Sequence, residues 1–193
     1  HFHALKNFGV SVITKRDFYY ITQRGPFKAP EVILYEQGDT VAENAILAAT
    51  LASGTTTIKF ATSNYMVQDV CYLLESMGAK IKGIGTSTLE ITGVKKLRGA
   101  KHYPIMPDPI ESMLLLSLAA TTQSSITIKG CPKDFLSLEL AKLEVMNFQY
   151  EIIKTYKSKN TKFDLIDIQT HPSVLKAIMA PDKIEAHPYP GIN

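Results

Sequence analysis

The chain has 193 residues, of which 45% are hydrophobic and 20% charged, and its formal net charge is +3. These values are typical of a globular protein and exclude a disordered, collagen-like or coiled-coil chain. The charge is mild and evenly spread, and two lysine-rich stretches at residues 95–98 and 154–162 are interpreted as solvated loops. No apolar run approaches the ~18 residues that a membrane crossing needs. We therefore expect neither nucleic acid nor a membrane as a partner.

The two cysteines, Cys71 and Cys131, form no CxxC pair and have no histidine at ligand spacing, so neither disulfides nor a metal site is predicted. Cys71 lies on an apolar helix face and is interpreted as a small buried hydrophobe. A nucleophilic role is weighed for Cys131, which lies between two lysines, and is not favoured. Such cysteine usage indicates a reducing, cytoplasmic location. The remaining histidines are interpreted as surface or turn residues: His3, His102, His171 and His187.

The ends of the chain are taken as signs of a fragment. His1 stands directly on an apolar-periodic stretch, and residues 188–193 read as a connector. In chain order, the first predicted strands cover residues 18–22 and 32–35, and a turn at residues 24–26 separates them.

The next stretch predicts a repeat unit. Apolar residues at helical spacing indicate a helix over residues 40–53, and Gly54 closes it. Thr40 as N-cap and Glu43 as N3 residue predict a capping box at its start. The other elements of this unit are predicted as a strand at 55–60, a helix at 65–77, and strands at 79–83 and 87–92 joined by a turn.

The same pattern recurs later in the chain. Asp108, Pro109 and Glu111 predict another helix start, and this capping role explains their spacing better than an acid–base pair does. Similar segments repeat at a shift of 69 or 70 residues: 4–12, 73–81 and 143–151, and likewise 56–59 and 126–129. The sequence therefore predicts an α/β (α+β) protein with two βαβαββ units and the tail of another.

Five segments of this pattern carry a family resemblance. Residues 40–44, 51–56, 77–81, 83–86 and 106–111 resemble the UDP-N-acetylglucosamine 1-carboxyvinyltransferase family, and the similarity covers nearly the whole chain in order. It implies the enolpyruvyl-transferase fold, in which each of two lobes is an inside-out α/β barrel of three βαβαββ units. Residues 1–106 are then expected to belong to one lobe. Residues 107–193 are expected to form the first unit of the second lobe and the hinge.

The resemblance also implies a reaction. Members of the family move the enolpyruvyl group of phosphoenolpyruvate to the 3′-hydroxyl of UDP-N-acetylglucosamine, a cytoplasmic step of peptidoglycan precursor synthesis that uses no metal or organic cofactor. The small-molecule partners expected are therefore phosphoenolpyruvate and a UDP-sugar. The cysteine loop of the family is expected before His1, so no catalytic residue is assigned to this chain. We expect the chain alone to be inactive and to self-associate through its exposed apolar faces.

Substrate-binding residues are expected where the resemblance places the nucleotide. They are His1 beside the absent loop, the backbone N–H groups of Gly38, Asp39 and Thr40, and Asn64 at the rim.

Three departures from the family pattern bear on this site. Glu36 stands where the family has a lysine, Asn64 begins a segment that is Glu-Pro-Glu in the family, and Pro109 replaces an arginine. Glu36 and Asp39 turn attraction for a diphosphate into repulsion. Two alternatives therefore stay open: a transferase for another acceptor, such as shikimate 3-phosphate, or a non-catalytic relative that acts as a binding protein.

Overall fold

The computed structural model describes residues 1–178. They divide into two compact units, His1–Tyr103 and a second one that begins at Pro104. The predicted connector at residues 188–193 and His187 lie outside the described residues. The elements of the first unit are α1 (Phe2–Lys6), β1 (Val10–Lys15), β2 (Phe18–Gln23), β3 (Glu31–Ile33), α2 (Asp39–Leu51), β4 (Thr55–Lys59), α3 (Tyr65–Ser76), β5 (Lys80–Lys82) and β6 (Thr88–Thr92). Those of the second are α4 (Pro109–Thr122), β7 (Thr127–Pro132), α5 (Ser137–Val145), β8 (Tyr150–Lys157) and β9 (Asp164–Thr170).

The first unit contains the predicted βαβαββ arrangement. Its main sheet has the order β3-β4-β6-β5, in which β3 and β4 are parallel and the other neighbours antiparallel. Because β3 and β4 are parallel, the chain needs a crossover between them, and α2 supplies it. The apolar sides of α2 and α3 pack on this sheet around the fully buried Ile46, Ile58 and Cys71. The βαβαββ prediction is therefore confirmed for this unit.

The second unit repeats the later part of that arrangement. Its strands lie in the order β7-β9-β8, which matches β4-β6-β5 of the first unit, and α4 and α5 take the places of α2 and α3. Among the described residues that precede α4 in this unit, 104–108, none belongs to a strand. The described part of the second unit thus has αβαββ in place of the predicted βαβαββ. At the start of the first unit, before its βαβαββ arrangement, α1, β1 and β2 form the predicted tail of another repeat, a helix followed by an antiparallel strand pair.

The helix ends fix the spacing of the repeat. The N–H of Ala79 donates to the carbonyl of Leu74 over 2.9 Å, and the N–H of Phe148 donates to that of Leu143 over the same distance. In both turns the preceding residue, a glycine in one and an asparagine in the other, has a left-handed backbone. This is the hydrogen-bond pattern of a Schellman helix end. Equivalent residues at these two helix ends are 69 apart, one less than the shift of 70 between the sequence segments 73–81 and 143–151.

The start of α2 differs from its prediction. Gly38 is the N-cap in an extended conformation and Asp39 is already helical, so the predicted capping box of Thr40 and Glu43 is wrong. The carbonyl of Thr40 instead accepts a hydrogen bond from Asn44 Nδ2 at 2.7 Å. An acidic residue in the first turn of a helix is favoured by the helix dipole, and this explains why the helix includes Asp39.

The stretch 154–162 also differs from its prediction as a loop. Lys154 and Lys157 lie on β8, whereas residues 158–163 form the turn to β9. Six of the eight residues of β8 are exposed on one face or the other, so the strand carries no alternating pattern in the sequence.

Gly93 joins the end of β6 to the end of α2. Its N–H donates to the carbonyl of Gly54 at 2.9 Å, and the N–H of Val94 donates to that of Thr50 at 2.8 Å. A Cβ atom at position 93 would overlap the carbonyl oxygen of Ala52. Only glycine permits two backbones to approach this closely.

Candidate functional site

A cleft of about 260 Å³ opens beside the first turn of α2. Its walls are formed by two histidines, an aromatic ring, a carboxylate and two apolar side chains: His1, His3, Tyr35, Glu36, Leu34 and Val41. The rings of His3 and Tyr35 stack with centroids 3.8 Å apart and planes inclined by 29°. Tyr35 is 81% exposed, so the outer face of this ring pair is open to a planar group of a ligand.

The N-terminus of α2 adjoins this cleft. Within residues 1–178, no side chain forms a capping hydrogen bond to the first turn, which starts at Gly38. The first backbone N–H groups of a helix have no partner inside the helix, and the dipole gives them a partial positive charge. The Glu36 carboxylate lies close by, with Oε1 3.6 Å from the point that a Cβ on Gly38 would occupy. The Glu36 carboxylate is thus a neighbour of the N-cap residue of α2.

Asp39 and Asn64 form a polar pair between α2 and α3. Asn64 Nδ2 donates to Asp39 Oδ2 at 2.8 Å. The Asn64 side chain is fully buried, whereas Asp39 is partly exposed. Oδ1 of Asp39 and Oδ1 of Asn64 are both buried and have no hydrogen-bond partner in the part of the chain that the structure describes.

The loop between β4 and α3 holds Asn64 in this position. Phe60 begins the loop with a left-handed backbone at φ +62°, a conformation that is rare for a bulky residue. The N–H of Ala61 then donates to the carbonyl of Ser87 at 3.0 Å, and the N–H of Asn64 to Thr62 Oγ1 at 3.2 Å. The loop is therefore tied to the sheet on one side and to the start of α3 on the other.

Negative charge accumulates at this end of α2. Burial raises the pKa of Glu43, and the nearby carboxylate of Asp39 raises it further. Three carboxyl groups thus lie at or just before the start of α2, those of Glu36, Asp39 and Glu43.

The structure places all five predicted binding residues around the start of α2. His1 lines the cleft, Gly38 is the N-cap, and Asp39 contacts Asn64 directly. Thr40 is exposed in the first turn. Asn44 Nδ2 forms hydrogen bonds with both the carbonyl oxygen of Thr40 and Nδ1 of His1.

Sequence reasoning missed three residues of this site. Asn44 lies four residues after Thr40, and residues at this spacing are neighbours on the surface of a helix. This spacing is the sequence signal from which Asn44 could have been found. His3 and Tyr35 are 32 residues apart, and no local pattern connects them.

The other chemical candidates have structural roles. Burial raises the pKa of Cys71 to about 12, with Glu75 and Glu43 adding to the shift. Burial also raises the pKa of Cys131, which is fully buried on β7. Neither thiol therefore has the lowered pKa of a nucleophile. Asp108 Oδ1 accepts a hydrogen bond from the N–H of Ile110 at 2.8 Å, which confirms Asp108 as the cap of α4.

The second unit has a polar centre of its own. Asp167, which is 8% exposed, accepts hydrogen bonds at Oδ1 from the N–H of Gly130 at 2.9 Å and from the hydroxyl of Tyr156 at 2.8 Å. Gly130 and Tyr156 also line a cleft of about 460 Å³. Burial by itself raises the pKa of Asp167, but these two donors and the charges of Lys154 and Lys129 lower it overall.

Residues 1–178 contain no group of three or more histidine, cysteine or acidic side chains placed to hold a metal ion. The helices in the same residues all lack the length and apolar character of a bilayer-crossing segment.

Comparison with known proteins adds to this geometry. Residues 1–190 match the profile of the family described as EPSP synthase (3-phosphoshikimate 1-carboxyvinyltransferase). The chain is 42% identical over 142 residues to UDP-N-acetylglucosamine 1-carboxyvinyltransferase of Treponema denticola, a match that covers 73% of this chain and 33% of the relative. It is 34% identical over 190 residues to the enzyme of the same name from Shewanella amazonensis, with 98% of this chain and 42% of the relative covered.

A solved structure shows the same fold. EPSP synthase from Acinetobacter baumannii superimposes with a TM-score of 0.72 at 18% identity, over 92% of this chain and 40% of that one. The chain thus spans between a third and somewhat over two fifths of the proteins it matches.

Proposed function

Because the chain belongs to the EPSP synthase family, whose members transfer enolpyruvyl groups, we propose that it forms part of a UDP-N-acetylglucosamine enolpyruvyl transferase. In the reaction, the acceptor hydroxyl loses its proton and bonds to the enolpyruvyl carbon of phosphoenolpyruvate. The bond from that carbon to the phosphate oxygen breaks, and inorganic phosphate leaves. This reaction belongs in the cytoplasm, in the synthesis of peptidoglycan precursors.

The observation that carries this proposal is the cleft at the start of α2. It combines a stacked ring pair with an uncapped helix N-terminus in the described residues, a combination that suits a nucleoside sugar. In this proposal the backbone N–H groups of Gly38, Asp39 and Thr40 contact the acceptor. His1 and Asn64 flank it, and no catalytic group comes from this chain.

A chimera tests the proposal. The 193-residue chain replaces the 190 matched residues of the Shewanella amazonensis relative, which supplies the rest of the protein. We expect phosphate release that requires both phosphoenolpyruvate and UDP-N-acetylglucosamine, and none from the 193-residue chain alone. Shikimate 3-phosphate serves as the control acceptor. A folded chimera that releases phosphate only with shikimate 3-phosphate, or with neither acceptor, contradicts the proposal and favours one of the two alternatives.

We also propose that the lobe boundary lies near residue 106 and that the 193-residue chain self-associates. The hairpin of β1 and β2 exposes large apolar side chains to between 48% and 58%: Ile13, Phe18, Tyr19, Tyr20 and Ile21. Ile13, Phe18 and Tyr20 share one face of the hairpin and Tyr19 and Ile21 the other, and exposed apolar side chains of this size favour association in water. Light scattering over a concentration series tests this, and a monomer at every concentration contradicts it.

A further inference from the structure

The second unit contains a cleft that the proposed function does not use. It has a volume of about 460 Å³, and all the described residues that line it belong to this unit. The apolar part of the lining comes from two prolines, two aliphatic side chains and an aromatic residue: Pro104, Pro107, Ile105, Leu165 and Tyr156. Clefts of roughly 300–1,000 Å³ with mainly apolar walls are the usual sites of small molecules.

One wall of this cleft is the segment 104–107, which hydrogen bonds hold in place. Asn160 Nδ2 donates to the carbonyl of Pro104 at 3.1 Å, and Asn160 Oδ1 accepts from the hydroxyl of Ser158 at 2.6 Å. These contacts tie the segment to the turn between β8 and β9. Ile105 is nevertheless 80% exposed, so its side chain is open to contact with a ligand.

The opposite wall lies on the sheet. The hydroxyl of Tyr156 and the N–H of Gly130 both donate to Asp167 Oδ1, and Tyr156 is the cross-strand neighbour of Leu165. Both walls are therefore fixed by contacts within the unit. A site that is formed before its ligand arrives loses less conformational entropy on binding.

Two lysines add positive charge to the lining. Lys157 Nζ forms an ion pair with Asp164 Oδ1 at 2.9 Å. Lys159 is exposed and forms no ion pair with any residue in the range 1–178. Its ammonium group is therefore available to an anion that enters the cleft.

The carboxylates nearest to the cleft along the chain have other partners. Asp108 Oδ1 accepts from the N–H of Ile110, Asp164 pairs with Lys157, and Asp167 accepts the two hydrogen bonds described above. These acids therefore leave the charge of Lys159 uncompensated. A single lysine suits a singly charged carboxylate, whereas a phosphate monoester carries about −1.5 to −2 charges at pH 7.

We infer that this cleft binds a small free carboxylic acid with an apolar body. The apolar body lies against Ile105 and the two prolines, and the ionised carboxylate pairs with Lys159. This inference goes beyond the proposed function, because the cleft beside α2 belongs to the first unit and serves the acceptor.

Three probes of nearly equal size and different charge test the inference. They are 3-phenylpropionate, 3-phenyl-1-propanol and 3-phenylpropylamine, titrated into the 193-residue chain at low salt, at a concentration where light scattering gives a single species. Nuclear magnetic resonance follows the backbone amide of Gly130 in the cleft wall. We expect the acid to bind about fivefold more tightly than the alcohol and the amine to bind most weakly. Added salt should reduce the preference for the acid.

Variants separate the charge of the cleft from its apolar contacts. Lys159→Gln is expected to bring the affinities of acid and alcohol within about twofold of each other. Lys176→Gln is the matched control, since Lys176 is an exposed lysine of the second unit outside the cleft lining and its loss changes the net charge equally. Ile105→Ala should weaken acid and alcohol by the same factor, about threefold or more, because both lose the same apolar contact.

Each of four results overturns the inference. The first is equal binding of acid and alcohol by the unaltered chain, and the second is an equal effect of Lys159→Gln and Lys176→Gln. The third is a folded chain whose Gly130 amide responds to none of the probes. The fourth is an Ile105→Ala variant that binds acid and alcohol as the unaltered chain does, since the probes then bind elsewhere.

Discussion

The two units start equivalent helices in different ways. In the second unit, Asp108 caps α4 with its own side chain and Pro109 occupies the first helical position. In the first unit, α2 begins at Gly38 without a side-chain cap from any described residue, and its first acidic residue is held from outside the helix by Asn64. A helix start that its own cap has closed has little left to offer a ligand. The start of α2 is therefore the one that we propose as a binding site.

The carboxylates of Asp167 and Asp39 also differ in how far the rest of the chain satisfies them. Asp167 receives two hydrogen bonds and lies near two lysines, so its environment stabilises the charged form. Asp39 receives one hydrogen bond and leaves an oxygen without a partner among residues 1–178. The Asp167 carboxylate thus has several stabilising partners in its own unit, whereas the Asp39–Asn64 pair keeps two buried oxygens without a partner among the described residues.

Shortening a buried core side chain is expected to have the largest effect on stability. The same change in each unit tests whether the two cores contribute equally. Ile58 on β4 and Ile128 on β7 are 0% and 4% exposed and lie 70 residues apart in the repeat. Ile58→Ala and Ile128→Ala are each expected to lower the free energy of unfolding by about 2–5 kcal/mol. Urea unfolding followed by circular dichroism measures both. Ile105→Ala, at a side chain that is 80% exposed, is the control, and a loss of equal size there contradicts the assignment of the core.

The polar centre of the second unit gives the next largest effect. Tyr156→Phe removes the hydroxyl that donates to Asp167, and we expect a loss of about 1.5 kcal/mol at pH 7. The folded-state pKa of Asp167 lies below its unfolded value of about 4, so this stabilisation is present above about pH 4 and is lost as the pH falls further. The difference between the variant and the unaltered chain should therefore shrink at pH 3 in urea unfolding. A constant difference at both pH values argues against a charged Asp167 as the acceptor.

The smallest expected change in the free energy of unfolding comes from variants at the N-termini of α4 and α2. Asp108→Ala removes a capping hydrogen bond, so the free energy of unfolding should fall by about 1 kcal/mol. Thr40→Ala should change it by less than about 0.5 kcal/mol, because Thr40 is a helical residue with an exposed side chain. Thermal unfolding of the two variants measures this contrast. Equal losses would contradict Gly38 as the N-cap of α2 and favour Thr40 in that role.

Local chemistry explains which parts of the fold were predictable. The cap at Asp108 was evident because the cap, the proline and the acidic residue lie within four positions. β8 was not, because a strand exposed on both faces has no apolar alternation. The capping box at Thr40 was wrong because the partner of Asp39 is Asn64, 25 residues away, and no local pattern reports such a contact.

The candidate site was predictable only in part. The resemblance to a family located the start of α2, and the structure gathers the five expected residues there. The stacking of His3 on Tyr35 depends on the packing of α1 beside the segment after β3, which periodicity does not reveal. The buried Oδ1 atoms of Asp39 and Asn64, which have no hydrogen-bond partner among the described residues, likewise result from tertiary packing.

The tight crossing at Gly93 has a consequence for how this chain tolerates mutation. Its backbone touches the end of α2 so closely that even alanine has no room there. Selection on foldedness in a saturation library should therefore leave position 93 almost invariant, while the neighbouring exposed positions Lys95 and Lys96 accept many residues. Among divergent relatives, this glycine should serve as a fixed reference point for aligning the repeats where the rest of the sequence has drifted.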